Sequence, residues 1–99
     1  MKDDFISKIG VYGQMHYRYL KETKPSVVNV MRMKGTLKAY LDEINASAEE
    51  MLDRLETEMA KNEGVTEAFK RQDQMAWVQR KNNIRARAME IVQREVIYI

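Results

Sequence analysis

The residues with the clearest potential for binding chemistry form a basic run near the carboxyl end of the sequence. Residues 78–88 contain no acidic side chain and hold four cations around a pair of asparagines. Arginine and asparagine on a helix can contact the phosphates and base edges of a nucleic-acid groove. The candidate contact residues are Arg80, Lys81, Asn82, Asn83, Arg85 and Arg87.

The same run also fits an ordinary helix surface. At 100° per residue, Arg80 and Arg87 fall on one flank of the apolar positions, and Lys81 and Arg85 fall on the other. Glu90 lies within one helical turn of Arg87, so weak pairing within the helix is expected there. We therefore favour solvated flanks, or ion pairs with acids of a neighbouring helix or subunit, over nucleic-acid contact.

The asparagine pair is the odder feature of this run, because asparagine is a poor helix former. Two asparagines inside a helical pattern predict a functional contact, a kink or a buried polar contact. Hydrogen bonding that fixes the register of packed helices and contact with a ligand are both consistent with Asn82 and Asn83.

A second group of cations is interleaved with aromatic side chains near the amino end. Its members are Tyr12, His16, Tyr17, Arg18, Tyr19 and Lys21. Such a composition can stack on single-stranded nucleic acid. Tyr12, Met15 and Tyr19 recur at helical spacing, however, which favours core packing for the rings. Arg18 and Lys21 remain as candidate nucleic-acid contacts.

No arrangement of residues typical of catalysis is present. The chain has no cysteine, and a lone histidine, His16, is weak as a metal ligand or a general base. Glu49, Glu50, Asp53 and Glu56 are interpreted as a solvated acidic face, since a two-metal site in a helical bundle also needs Glu-x-x-His pairs. We expect no enzymatic activity, no metal, no cofactor and no small-molecule substrate.

Length and composition predict one all-α domain over residues 1–99. The chain has one proline, four glycines and many strong helix formers, and its β-branched residues do not alternate as they do in strands. No segment approaches membrane-spanning length, and the first residues do not resemble a signal peptide. These features predict a soluble, cytoplasmic protein without a membrane partner.

Charge is distributed in three blocks along the chain. Residues 1–41 carry 8 basic and 3 acidic side chains, residues 42–67 carry 2 and 9, and residues 68–99 carry 7 and 3. An acidic middle segment between two basic ones favours pairing between segments, within the chain or across a dimer.

The amino-terminal third is predicted to contain two short helices over 11–34. Pro25 fits the first turn of the second helix, and Val27, Val30 and Met31 are predicted to face inward. The first ten residues are predicted to form a poorly ordered leader.

Two long helices, over 36–62 and 66–97, are predicted to follow as an antiparallel hairpin. Thr36 and Thr66 are their N-caps, and a break near the asparagine pair is the alternative for the second helix. At 1.5 Å per residue these helices are about 40 and 50 Å long, against about 30 Å for a compact domain of this size. Because the short helices cannot cover such lengths, we predict a homodimer that forms a helical bundle.

Several short stretches resemble a known family. The strongest are Glu-Gly-Val-Thr-Glu at 63–67, Gln-Met-Ala-Trp-Val at 74–78 and Asn-Asn-Ile-Arg-Ala-Arg-Ala-Met-Glu-Ile-Val at 82–92. Others lie at 12–16, 18–22, 35–41, 48–51 and 97–98. From about Gly10 to the end, the chain resembles TnpV, a family of small proteins encoded on bacterial mobilisable transposons.

The resemblance implies a mobile-element context and carries no established activity. It suggests an accessory or regulatory protein that binds DNA without catalysis, as excisionases do, with the basic residues on phosphates and Asn82 and Asn83 on bases. The alternative function is a helical protein-interaction module that binds a recombinase or a host protein.

Overall fold

Helices form all the regular secondary structure of residues 5–99, which the computed structural model describes. The five α-helices are α1 (Val11–Thr23), α2 (Pro25–Lys34), α3 (Leu37–Asn62), α4 (Glu67–Gln72) and α5 (Gln74–Val92). A 3₁₀ turn over Ile6–Lys8 precedes α1, and a π-helical turn over Gln93–Ile97 follows α5. The all-α prediction is confirmed for this part of the chain.

The first turn of α1 is held by a residue of α3. Gly10 occupies the N-cap position and has no side chain to offer. Instead, the side-chain oxygen of Asn45 accepts hydrogen bonds from the backbone nitrogens of Tyr12 and Gly13, each at 3.0 Å. The free N–H groups at this helix end are therefore satisfied across the helix interface rather than by the local sequence.

α2 buries a different face from the predicted one. Val28 is only 2% exposed and Met31 is partly buried, whereas Val27 and Val30 are 42% and 48% exposed. The inward prediction for Val27 and Val30 is therefore wrong. Four of the five residues from 27 to 31 are apolar, so helical spacing alone does not define which face of α2 is buried. Val28 is buried because this face of α2 packs against α1 and α3.

α3 is the longest helix and packs against both α1 and α5. It runs without interruption through residues 45–50, where the sequence also allowed a helix to start afresh. Gly35 before it and Gly64 after it both have φ of 72°, a left-handed conformation that glycine adopts at low cost. These two residues therefore separate α3 sharply from its neighbours.

The segment predicted as one helix over 66–97 is divided in the structure. Thr66 caps α4 by accepting a hydrogen bond from the N–H of Phe69 at 3.2 Å. The break lies at Asp73, whose backbone is extended and whose carboxylate accepts a hydrogen bond from the N–H of Ala76 at 3.1 Å. Asp73 is thus a second N-cap, and helical spacing of apolar residues alone did not reveal it.

Most of the buried apolar residues form two clusters. The first joins the amino-terminal turn, α1, α2 and the start of α3, and its members are Ile9, Tyr17, Leu20, Val28, Leu37 and Leu41. The second joins the middle of α3 to the end of α5 and the π-helical turn, and its members are Ala48, Leu52, Ala88, Val92, Val96 and Ile97. α3 therefore contributes to both clusters and connects them.

Residues 5–10 are part of the packed structure, which differs from the predicted loose leader. Ile9 is only 3% exposed, and Phe5 and Ile6 pack partly against the first cluster. The leader prediction for residues 1–4 lies outside the described residues.

The molecule is elongated, with extents of 55 × 22 × 17 Å. Its radius of gyration is 17.1 Å, whereas a compact domain of this length has about 13 Å. The antiparallel course of the two longest helices and the dimer stay predictions. Among residues 5–99, no helix combines the length and the apolar character that a membrane crossing requires.

Candidate functional site

The basic run lies on α5, which continues without a break through Asn82 and Asn83. Both asparagines are exposed. Arg85 extends toward α3, where its guanidinium donates to the carboxylate of Glu56 at 3.2 Å and to the Tyr12 hydroxyl at 3.5 Å. This arginine therefore connects α5 with an acid of the middle segment, as the charge blocks of the sequence suggested.

Arg87 also has partners within the chain. One of its terminal nitrogens donates to the Glu63 carboxylate at 2.8 Å, and its Nε donates to the side-chain oxygen of Asn83 at 2.9 Å. The expected pair with Glu90 is not formed, because the loop after α3 brings Glu63 within reach. Arg87 is thus held by a carboxylate from another segment.

Arg80 and Lys81 lie against aromatic rings. The guanidinium of Arg80 is 4.8 Å from the ring centre of Phe69, and the ammonium of Lys81 is 5.9 Å from that of Trp77. Lys70 approaches Trp77 more closely, at 4.6 Å. Sequence reasoning did not anticipate these cation–π contacts. Lys81 and Trp77 lie one helical turn apart within α5, whereas Phe69 and Lys70 reach their partners because the break at Asp73 lets α4 pack on the start of α5.

Arg18 and Lys21 lie on the exposed surface of α1. Lys21 is 5.1 Å from the ring centre of Tyr17. Tyr12 contacts Arg85 of α5, but Lys21 is nine residues, or about 13 Å, further along the helix axis. Lys21 therefore lies well beyond the point where Arg85 contacts α1.

His16 is buried, with 1% exposure, and holds three segments together. Its Nδ1 lies 2.6 Å from the carbonyl oxygen of Ile97, and its Nε2 lies 2.8 Å from the Tyr40 hydroxyl. A carbonyl can only accept, so Nδ1 carries the proton in this contact. Burial raises the pKa of the Tyr40 hydroxyl.

This arrangement gives His16 a structural role that its sequence context did not reveal. Both ring nitrogens have partners inside the protein, so neither is directed toward a ligand. Within the part of the chain that the structure describes, no group of three or more histidine or acidic side chains is placed to hold a metal ion.

Three apolar residues lie on the solvent-facing side of α2, a feature that sequence reasoning missed because it placed Val27 and Val30 inside. We call Val27, Val30 and Met33 the α2 apolar strip. They are 42%, 48% and 87% exposed. Spaced three residues apart, they lie side by side along one face of the helix. A contiguous exposed apolar surface of this kind is typical of contact with another macromolecule.

Fold and surface together define a small, elongated, all-α protein whose distinctive exterior features are apolar helix faces and internally paired cations. The family model for the transposon-encoded protein TnpV matches residues 1–97. The chain belongs to this family, and the match begins nine residues earlier than the resemblance seen in the sequence. Comparisons with curated proteins and with solved structures gave no match.

Proposed function

We propose that this chain is a non-catalytic accessory protein of its transposon that binds another protein through the α2 apolar strip. The observation that carries the proposal is the exposure of Val30, which lies at the centre of the outward face of α2 and is 48% exposed. A surface helix normally directs polar residues to solvent, so an apolar centre with Val27 and Met33 on either side favours a contact surface.

The charges around the strip indicate the chemistry of its partner. Residues 23–41 contain no acidic side chain and four cations, which are Lys24, Arg32, Lys34 and Lys38. An amphipathic helix that carries apolar residues on one face and carboxylates on its flanks complements this surface. We therefore propose an acidic amphipathic helix as the bound element.

The recombinase of the same element is the partner we propose first. Membership of a family of transposon-encoded proteins supports a partner from the same genetic element. A protein that binds the recombinase can regulate its assembly without any reacting group of its own, which is consistent with the roles of the residues described above.

Binding of the purified protein to the purified recombinase, measured by biolayer interferometry, tests this proposal. Val30→Glu places a carboxylate at the centre of the strip and is expected to weaken binding at least tenfold. Val11→Glu is the matched control, because Val11 is 63% exposed on a different helix. Circular dichroism of both variants establishes that helix content is unchanged.

Equal affinity of the Val30→Glu variant and the wild type would contradict the proposed surface. Failure of the wild type to bind the recombinase at all would contradict the proposed partner. Binding that increases with salt would contradict the acidic character of the partner, because salt screens attraction between opposite charges.

DNA binding is the second candidate, and a specific observation favours it. The side chains of Arg85 and Arg87 are still 55% and 42% exposed within their pairs with Glu56 and Glu63. The Glu63 side chain is also 41% exposed, and exposed ion pairs contribute about 0–1 kcal/mol, so a phosphate can replace this carboxylate at little cost. In this function Arg80, Lys81, Asn82 and Asn83 are the neighbouring contacts on α5.

A gel-shift experiment with DNA from the ends of the element tests this second function. Affinity should fall steeply between about 50 and 200 mM salt if several phosphates are contacted. Glu56→Gln and Glu63→Gln release the two arginines and should strengthen binding, whereas Arg85→Gln and Arg87→Gln should weaken it. A shift that does not depend on salt, or on these four residues, excludes this mode of binding.

A further inference from the structure

One side of α5 carries no charge along its whole length. Its residues are separated by four and three positions in alternation, and we call them the α5 seam. They are Met75, Gln79, Asn82, Ala86 and Met89 of α5, followed by Gln93 at the start of the π-helical turn. The first four are exposed. Met89 and Gln93 are partly buried, and Met89 packs in part against the second cluster. In a chain with 32% charged residues, an uncharged line of this length is a distinct surface.

The spacing of the seam is that of a contact line between two packed helices, where positions alternate by three and four residues. The opposite side of α5 already fills the core through Ile84, Ala88 and Val92, all at 0% exposure. α5 therefore has two sides with helix-packing spacing. Other segments of the described chain cover the core side, whereas the seam is exposed from Met75 to Ala86. Met75 and Gln79 also line a surface groove with Gln74 and Val78.

The geometry points to a second copy of this chain as the occupant of the seam, in an antiparallel arrangement with Asn82 at the twofold axis. Met75 and Met89 lie seven residues on either side of Asn82, so each faces the other across the axis. Gln79 then lies near Ala86 of the second copy, which pairs a long side chain with a short one. The groove beside Met75 can receive the opposing methionine.

Asn82 is suited to a position on such an axis. Its carboxamide has both donors and acceptors, so two copies can hydrogen-bond to each other reciprocally. A polar residue within a seam between packed helices fixes register at some cost in stability. This accounts for an asparagine that is exposed in one chain and unfavourable for helix formation.

The shape of the single chain supports this occupant. Its accessible surface is 6803 Å², whereas a compact monomer of 11.7 kDa has about 5900 Å². The excess is similar to the area of about 800 Å² that each partner contributes to an interface of standard size. Pairing along the seam covers the exposed side of α5, and it does not involve the α2 apolar strip.

Cysteine cross-linking tests the arrangement directly, because the chain contains no cysteine. Asn82→Cys should form a disulfide-linked dimer under mild oxidation, while the exposed α3 control Ser47→Cys should not. A mixture of Met75→Cys and Met89→Cys chains should give mixed dimers. Efficient linkage of Met75→Cys to itself overturns the antiparallel arrangement, and equal rates for Asn82→Cys and Ser47→Cys overturn the seam.

Sedimentation equilibrium provides an independent test. Ala86→Glu places a charge on the seam without disturbing the core of the single chain, and it should convert a dimer into a monomer. Ala46→Glu is the matched control on the exposed surface of α3 and should leave the dimer intact. A wild-type chain that sediments as a monomer, or an Ala86→Glu chain that stays dimeric, overturns the inference.

Discussion

The carboxamide oxygen of Asn45 lies 3.0 Å from the backbone nitrogen of Gly13, so a side chain of α3 caps α1. The same glycine allows the close approach that this bond requires. A Cβ at position 13 would clash with Ile9 and would lie 2.9 Å from the carbonyl oxygen of Leu41. The cap by Asn45 therefore requires a glycine at position 13. This requirement explains the glycine in the Tyr-Gly-Gln-Met-His stretch.

Asn45→Ala is expected to lower the free energy of unfolding by about 1–2 kcal/mol, the usual cost of losing a helix cap. Two backbone N–H groups lose their acceptor, and the partly buried site gives water limited access to them. Urea denaturation followed by circular dichroism measures the change. Ser47→Ala, two residues further along the exposed side of α3, should differ from the wild type by less than about 0.5 kcal/mol.

Gly13→Ala tests the close approach through the sign of its effect. Helix propensity alone favours alanine by about 1 kcal/mol. Contact with the Leu41 carbonyl and Ile9 should outweigh this gain, and overpacking of this kind costs about 1–3 kcal/mol. We expect a net loss of stability in thermal unfolding. A variant more stable than the wild type shows that α1 and α3 separate freely at this point.

The sequence predicts the fold well where a segment has one strong apolar face. It does not where contacts between distant residues determine which face is buried or how a helix is capped. α3 forms where its apolar spacing predicts a helix, and the amino-acid composition predicts the all-α class. Asn45 lies 33 residues after Tyr12 and 32 residues after Gly13, so the local sequence around α1 does not predict this cap. For α2, Val27 and Val28 are equivalent in type, and only packing against α1 and α3 distinguishes them.

Tyr40→Phe is expected to change how the free energy of unfolding depends on pH in the alkaline range. Burial raises the pKa of Tyr40 in the folded chain, so the folded state holds this proton when the unfolded state has released it. Its contribution is fully present below the unfolded pKa of about 10 and is lost as pH rises through the folded pKa. The decline in unfolding free energy above pH 10 should therefore be shallower in the variant.

The control for this measurement is Tyr98→Phe, since Tyr98 is 44% exposed. Its alkaline profile should follow that of the wild type. At neutral pH, Tyr40→Phe should also cost about 1 kcal/mol because His16 Nε2 loses its partner. If the pH profiles of the wild type and both variants are parallel, folding does not raise the pKa of the Tyr40 hydroxyl.

The candidate site was predictable only as a choice between two interpretations. The sequence identified Arg80, Lys81, Arg85 and Arg87 as candidates and allowed either nucleic acid or acids of another segment as their partners. In the structure, Arg85 and Arg87 contact acids, while Arg80 and Lys81 lie on aromatic rings. The Phe69 ring comes within reach of Arg80 through the turn at Asp73, which apolar spacing does not predict, whereas Trp77 lies one helical turn before Lys81 in α5.

Asp73→Ala is expected to remove this turn and join α4 to α5. The variant loses a cap worth about 1 kcal/mol and gains a residue that favours helix continuation. In one continuous helix, Lys70 and Trp77 are seven residues and about 10 Å apart along the axis, so their present 4.6 Å contact is lost.

Trp77 is the only tryptophan, so its fluorescence reports this change without labelling. Loss of the Lys70 ammonium from its ring face and greater exposure to water should shift its emission to longer wavelength, while helix content rises slightly. Thr66→Ala is the matched control, because it removes the cap of α4 without altering the α4–α5 turn. Its emission should match that of the wild type. If Asp73→Ala also keeps the wild-type emission, packing of α4 on α5, rather than the aspartate cap, maintains the turn.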